Sequence, residues 1–393
     1  MEVNQFLSSL TNLEKTRDFN VFKEYSLDGF RSALKDFGVL EKSKDILRIS
    51  VVGTNGKGST AYFLSHIFLQ NSQFSPVGLY TSPHLLTQNE RIQVNGNLIS
   101  DSWMNQKLNS FSARELEKLK TLSYFEFFTL FSILYFKDND CKTEIYEAGL
   151  GGRLDATKLV NPDIVILTKI TLDHTEILGD TEEKILLEKL QIVGTNAKFI
   201  YTFLQDDHLL AIAKSFCIKN NIELIVYPYH VSKDYLSFNK EYALFIINSI
   251  LQNKQQPLLN ENILSNIPNM NGRMQLIRKE PILLFDIGHN PSAIEYLLQS
   301  VEISYANENK WEVYIGLLKD KNLISILEIL SNHPKIKKIN LITGGIWNEE
   351  DSKSKRINKI SEEEFLRLVT NADIPSLVLG SFRLYPLVKK NVL

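Results

Sequence analysis

A chain of 393 residues, 44% hydrophobic and 23% charged, is long enough for two cores and has the balance of an ordinary soluble globular protein. Its formal charge of −2, with basic residues dispersed along the chain, argues against nucleic acid or an anionic membrane as partner and leaves small molecules. The two cysteines, Cys141 and Cys217, have no CxxC spacing, so neither a disulfide framework nor a thiolate zinc site is expected, and a reducing cytoplasm fits.

Residues 1–15 show no basic start followed by an apolar run, and no later segment approaches ~18 uninterrupted apolar residues, so neither export nor a membrane span is expected. Short runs rich in Val and Ile then alternate with stretches of helical period. The pattern predicts strand over 46–52, helix over 60–70, strand over 77–80, helix over 125–136 and strand over 143–148. It continues with strand 164–170, helix 181–192, strand 198–201, helix 209–219, strand 223–226 and helix 241–253. Such alternation implies a mostly parallel sheet with crossover helices.

A polar stretch with Pro and Asn, 255–272, reads as a linker, and the α/β pattern restarts with strands near 282–286, 311–316, 338–343 and 376–380. The strand 46–52 opens into a glycine-rich, lysine-bearing turn, Gly53–Thr60, so the expected organisation is a P-loop-containing, mostly parallel-sheet α/β ATPase domain over 1–272, with the linker at about 255–273. A smaller Rossmann-like α/β domain follows over 274–393. The polar run 346–359 is expected to be a mobile loop.

The strand 46–52 runs into Gly53, Thr54, Asn55, Gly56, Lys57, Gly58, Ser59 and Thr60 and then into a helix. Glycines let the backbone approach phosphate and turn N–H groups toward it, Lys57 supplies a cation for the β and γ oxygens, and Ser59 or Thr60 offers a hydroxyl to Mg2+. Only Thr54 and Asn55 lie between Gly53 and the Gly56, Lys57 pair, so this is a shortened relative of the common phosphate loop.

Ligands of open α/β sheets bind where strands end, and several such ends carry chemistry here. Glu147 closes the strand 143–148 beside the turn from Gly149 to Arg153, and is placed to hold Mg2+ directly or through water. Asp173 and His174 follow the strand 164–170, where a neutral imidazole can bind a second cation. Lys189, fifteen residues beyond His174 on a helix, is near enough in sequence to face the same site. In the second half, Asp286 is placed to accept from ribose hydroxyls, and Arg273 to reach a phosphate with its planar fork.

Together these residues resemble the Mur ligase superfamily, most closely its folylpolyglutamate synthase and dihydrofolate synthase branch. The likeness is carried by Gly53–Ser59, Tyr80–Leu85, Glu90–Gly96, Tyr124–Phe127, Glu147–Thr157, Leu172–Thr175, Asp286–Pro291 and Gly380–Phe382, in that order along the chain. The resemblance implies ATP-dependent joining of L-glutamate to a folate, and to 7,8-dihydropteroate, through an acyl phosphate, by a monomer. It implies two Mg2+ ions, with Ser59, Ser82 and Glu147 at one and His174 at the other. It also implies a carbamylated lysine at Lys189, with Lys57, His174 and Lys189 as the catalytic set. Ser82, Pro83, His84, Tyr124, Phe125, Glu126, Arg153, Leu154, Asp155 and Ala156 would line the substrate pocket, Phe125 offering a ring face to the pterin. Arg273, Asp286 and His289 would contact ATP.

The chain departs from the family pattern around Lys189, where Leu190 and Gln191 replace two small residues, and at Asn271, where the family has proline before Gly272 and Arg273. Three other readings use the same residues: a cell-wall type ligase for a different carboxylate, an ATP-binding switch without turnover, and a scaffold that has lost activity.

Overall fold

The computed structural model describes residues 2–12, 25–204, 206–228, 233–349 and 356–392. The chain forms two compact units, Met1–Tyr229 with Lys240–Ile267, and His230–Asn239 with Pro268–Leu393. The second unit thus takes in residues ahead of the expected linker. Tyr235 explains the assignment, because its N–H donates to Ser300 Oγ at 3.0 Å and its hydroxyl donates to Asp286.

The first unit is built on eight strands: β1 (Leu47–Val52), β2 (Val77–Tyr80), β3 (Ile92–Val94), β4 (Asn97–Leu98), β5 (Thr143–Glu147), β6 (Ile164–Leu167), β7 (Phe199–Thr202) and β8 (Glu223–Val226). They lie in the order β4-β3-β2-β5-β1-β6-β7-β8. From β2 to β8 every pairing is parallel, while β3 and β4 run antiparallel at the edge. The β3 to β4 hairpin was not expected from the hydrophobic pattern, yet its turn is in the sequence. Asn95 and Gly96 sit at φ 52° and 78°, the paired left-handed conformation that Asn-Gly adopts in a two-residue hairpin.

The central strands are buried on both faces, which is why they read as continuous apolar runs. One face packs on the helix Tyr124–Asp138, apolar nearly all round and begun by a reciprocal cap between Ser123 and Glu126. Further along that same face, where Val165 and Ile200 continue the row of Tyr146, helices Glu182–Leu190 and Asp207–Asn220 pack, while Tyr201 on the opposite face meets helix Tyr235–Asn253. Lys57 already opens the helix after β1, three residues earlier than its periodicity suggests, so Lys57, Gly58 and Ser59 form its first turn.

Away from the glycine-rich loop, β1 and β5 place Arg48 opposite Glu144. Both are buried, and Arg48 Nε lies 2.6 Å from Glu144 Oε2. The same oxygen accepts from Tyr146 Oη at 2.8 Å, and Arg48 also donates to the Val160 carbonyl at 2.9 Å. An ion pair taken out of water needs this full set of partners to offset its desolvation.

The second unit carries six strands: β9 (Gln275–Lys279), β10 (Ile282–Asp286), β11 (Trp311–Gly316), β12 (Ile336–Ile342), β13 (Ile357–Ile360) and β14 (Ser376–Gly380), in the order β13-β12-β11-β14-β10-β9. All pair in parallel except β9 with β10. The expected loop over 346–359 is corrected at both ends: Trp347 is buried and bridges to Leu318, and Ile357–Ile360 is an edge strand. Ile357 and Ile360 lie three residues apart and so face opposite sides of the sheet, with Asn358 and Lys359 exposed between them, which is why this edge strand shows no apolar alternation in the sequence. Residues 350–355 lie outside the described set. No helix of the described residues is long and apolar enough to cross a membrane.

Removing one partner of the buried pair leaves an uncompensated charge. Glu144→Ala is expected to destabilise the protein by about 3–5 kcal/mol. Urea unfolding followed by circular dichroism measures this, and a loss below about 1 kcal/mol would show that the pair contributes little.

Candidate active site

Four parallel neighbours, β2, β5, β1 and β6, end on one edge of the first sheet, each about 4.8 Å from the next. Their following segments therefore stand side by side: Thr81–Thr87, Ala148–Thr157, Gly53–Thr60 and Thr168–His174. The chain passes from β1 to β2 on one side and later returns to β6 on the other, so the crevice beyond β1 is a topological switch point.

Gly56 caps the helix Lys57–Phe68 in a left-handed conformation at φ 88°. The first-turn amides of that helix, those of Gly58 and Ser59 among them, precede any intrahelical acceptor and form an anion cradle. The amides of Thr54 and Asn55 have another use, both donating to the Lys169 carbonyl at 2.7 and 3.4 Å. Lys57 folds back over the loop, its ammonium donating to the carbonyls of Gly53 at 3.0 Å and Thr54 at 3.1 Å. Thr60 Oγ1 is buried without a hydrogen-bond partner.

Glu147 is buried at the end of β5. A Cβ built on Gly58 would lie 3.2 and 3.3 Å from its two carboxylate oxygens, so the carboxylate sits directly against the nucleotide loop. Its Oε2 also accepts from the Ser82 amide at 3.0 Å. The turn holding Ser82, Pro83 and His84 is shaped from behind by Glu90, which accepts from the amides of Leu85, Leu86 and Thr87 at 2.8, 3.0 and 3.0 Å. His84 Nδ1 accepts from Arg91 Nε at 3.0 Å, which places the imidazole proton on Nε2. Arg91 is wholly buried, with the rings of Tyr124 and Phe128 at 5.2 and 5.5 Å.

Beside this turn stand Tyr124, Phe125 and Glu126. Phe125 is half-buried, its ring 5.7 Å from that of Tyr80. The carboxylate of Glu126 is committed: it accepts from the Ser123 amide at 2.7 Å and from the Tyr25 hydroxyl at 2.7 Å, so it supports the pocket wall from within. Asp155 is buried and accepts from the amides of Leu150 and Thr157 at 2.8 and 2.9 Å, while burial holds its carboxyl above the usual carboxylate range. Ala156 is buried, Leu154 half-buried, and Arg153 exposed with Nε 3.0 Å from Glu188 Oε2.

His174 adopts a left-handed conformation, φ 50° and ψ 43°, with its amide donating to Asp173 Oδ1 at 3.0 Å. Lys189 is buried, and its ammonium is pushed down from 10.5 to about 7, first by burial and then by the neighbouring Lys57 cation. Asp173, Asp155 and Glu188 act in the opposite sense from the same neighbourhood. Gly152 makes this packing possible, since a Cβ there would meet the Lys189 carbonyl at 2.4 Å. The enlarged Leu190 points into the core and the Gln191 side chain turns back to the Leu187 carbonyl, so both departures are accommodated away from Lys189.

In the second unit Asp286 is buried at the end of β10. Its Oδ2 accepts from the Tyr235 hydroxyl and from the Met274 amide at 2.7 Å, and its Oδ1 from the Gly288 amide at 2.7 Å. Arg273 is half-buried and acts electrostatically on Tyr235. His289 Nδ1 is 2.9 Å from the Ile287 carbonyl.

Within the first unit, then, Lys57, Ser59, Ser82, Glu147 and His174 stand at or just past neighbouring strand ends, and Lys189 reaches the neighbourhood of Lys57 from the helix Glu182–Leu190. Among the described residues no three His, Cys, Asp or Glu side chains gather into a ready-made metal cage. One buried carboxylate beside hydroxyls and a phosphate cradle suits Mg2+, which keeps waters and takes phosphate oxygens. Glu90 and Arg91 lie in the Glu90–Gly96 motif, which was given no role at the site, and Tyr25, Thr168 and Thr171 are site-shaping residues that pattern reading missed and for which the sequence carried no signal.

Residues 51–255 match the Mur ligase middle domain family. A dihydrofolate synthase/folylpolyglutamate synthase of Buchnera aphidicola subsp. Acyrthosiphon pisum (strain APS) is 33% identical over 352 residues, 83% of this chain and 80% of that protein. Its namesake in Escherichia coli (strain K12) is 30% identical over 358 residues, 83% and 79% of the two chains. In three dimensions the chain is similar to a bifunctional folylpolyglutamate synthase/dihydrofolate synthase of Yersinia pestis, complexed with AMPPNP and a manganese ion. That likeness has a TM-score of 0.76 with 25% identity and covers 94% of each chain. A shared middle domain, a matched length and the strand-end constellation agree, and the chain belongs to the Mur ligases, within the dihydrofolate synthase/folylpolyglutamate synthase family.

Proposed function

We propose that this protein joins L-glutamate to folates, and to 7,8-dihydropteroate, at the expense of ATP. The observation that carries the reading is the buried Glu147 carboxylate held between the nucleotide loop and the Ser82 turn, at the centre of four adjacent strand ends. The names of the relatives and the AMPPNP and manganese of the Yersinia pestis complex support it.

In this reading the acceptor's carboxylate attacks the γ-phosphorus of ATP, giving an acyl phosphate and ADP. The amino group of glutamate then attacks the acyl carbon, forming the amide and releasing phosphate. The amides of Gly58 and Ser59 and the Lys57 ammonium hold the phosphates and stabilise charge as the phosphoryl group moves. Ser59, Ser82 and Glu147 would hold one Mg2+ and His174 would help hold a second, and cations there would neutralise phosphate charge. Lys189, carbamylated, would add an anionic oxygen; burial and Lys57 favour the neutral amine that reacts with CO2. Tyr124, Phe125, Glu126, Leu154, Asp155 and Ala156 form the pterin pocket, with Pro83, His84 and Arg153 at its border. Arg273, Asp286 and His289 are proposed as nucleotide contacts, Asp286 acting chiefly through the turn that it organises. The protein is read as a cytoplasmic monomer.

Glutamate-dependent phosphate release from Mg-ATP, with tetrahydrofolate and 7,8-dihydropteroate supplied separately and products weighed, tests the reading. One added glutamate on both acceptors is expected; a gain on one assigns a single activity, and no gain on either removes the proposal. Lys57→Ala is expected to lower kcat by roughly 10²–10³-fold or more with circular dichroism unchanged, and near-normal turnover would take Lys57 out of the chemistry. Lys189→Ala is expected to lose most activity and to recover part of it when a short carboxylic acid is added in place of the carbamate. An unaffected rate would make Lys189 a packing residue only.

A further inference from the structure

We infer that Thr54 and Thr171 form a clamp that fixes the segment bearing Asp173 and His174 to the nucleotide loop, and that Thr54 is a positioning residue for the phosphoryl-transfer site. The two segments meet first through backbone. Thr168 Oγ1 donates to the Val52 carbonyl at 3.3 Å, and a Cβ built on Gly53 would lie 2.0 Å from that same oxygen, so only glycine permits the approach. The Lys169 carbonyl then accepts from the amides of Thr54 and Asn55, forming an isolated antiparallel bridge between Asn55 and Lys169.

Past Lys169 the Thr54 side chain carries the pairing on. Its hydroxyl donates to the Thr171 carbonyl at 3.0 Å and accepts from the Thr171 amide at 3.2 Å. One hydroxyl thus satisfies both backbone groups of a residue that is only 9% exposed. Leu172 and Asp173 alone separate Thr171 from His174, whose left-handed backbone directs the turn into the next helix. Without the Thr54 hydroxyl, two buried backbone groups lose their partner, and the segment's way to recover them is to open toward water. Such opening displaces Asp173 and His174 while leaving the first-turn amides and Lys57 in place. The role goes beyond phosphate contact by the loop, and its link to metal rests on the proposed place of His174.

The test compares Thr54→Val, which keeps the shape and lacks the hydroxyl, with Thr54→Ser, which keeps the hydroxyl. Amide hydrogen exchange at Thr171 and Mn2+ binding by electron paramagnetic resonance in the presence of AMPPNP are the readouts. In Thr54→Val, exchange at Thr171 is expected to quicken at least about tenfold. Mn2+ affinity is expected to fall about 10–100-fold, as for other groups that orient metal ligands. Thr54→Ser is expected to stay within about twofold of the parent protein, and kcat in Thr54→Val should drop with the KM for ATP nearly unchanged. Unchanged exchange overturns the clamp; faster exchange with unchanged Mn2+ binding overturns the positioning role. Should Thr54→Val not accumulate folded, Thr54→Cys, with its weaker donor and acceptor, carries the same expectation in smaller measure. Absence of glutamate-dependent turnover in the parent protein would strike the ligase reading alone, because the exchange and metal measurements decide the clamp without it.

Discussion

A buried carboxylate against a glycine-rich loop is the constraint on which the first unit depends. Glu147 has little exposure, so its charge must be met by donors or cations within reach. The Ser82 amide supplies one donor, and the flat face of Gly58 admits the carboxylate to the loop that cradles phosphate. Any side chain at Gly58 would intrude between them. The order β2-β5-β1 follows from the same need, since it sets the Ser82 turn and the nucleotide loop on either side of β5, which ends in Glu147.

Around that centre the polar groups divide by whether the fold has already used them. Glu126, Asp155 and Asp286 each accept two or more internal donors, and Glu90 accepts three amides. Such residues stiffen the turns that carry the chemistry, because every satisfied bond in a buried turn removes an alternative conformation. Lys189 belongs to a different group. Buried beside Lys57, its ammonium is pushed down to about 7 despite three carboxylates acting the other way, so a substantial share of neutral amine is present near neutral pH, a state that no exposed helix lysine shares.

Much of the fold was legible because burial on both faces makes parallel strands read as apolar runs and helices as periodic ones. The strands 77–80, 223–226, 282–286, 311–316 and 376–380 lie where the pattern puts them. Failures fell where that link is weak. Strands β3, β4, β9 and β13 are short, polar or at an edge, and show little alternation. The helix after β1 begins at Lys57 because a phosphate loop hands its glycines directly to the first turn, which periodicity cannot register. Glu126 and Asp286 were legible as site residues but not as saturated ones, since their donors, Tyr25 and Tyr235, lie far away along the chain.

The sequence by itself determined the chemistry available: a shortened phosphate loop, acids and a histidine at strand ends, and the ordered motifs that carry the family resemblance. Those are local facts, set by residue type and spacing over a few positions. Tertiary structure alone decided which of them meet. Strand order is a long-range property, so only the folded sheet could bring Gly58 to Glu147, Thr54 to Thr171 and Lys57 to Lys189, residues separated by 89, 117 and 132 positions. The lowered basicity of Lys189 arises the same way, from burial and a neighbouring cation supplied by a distant segment, which no local reading of its helix contains.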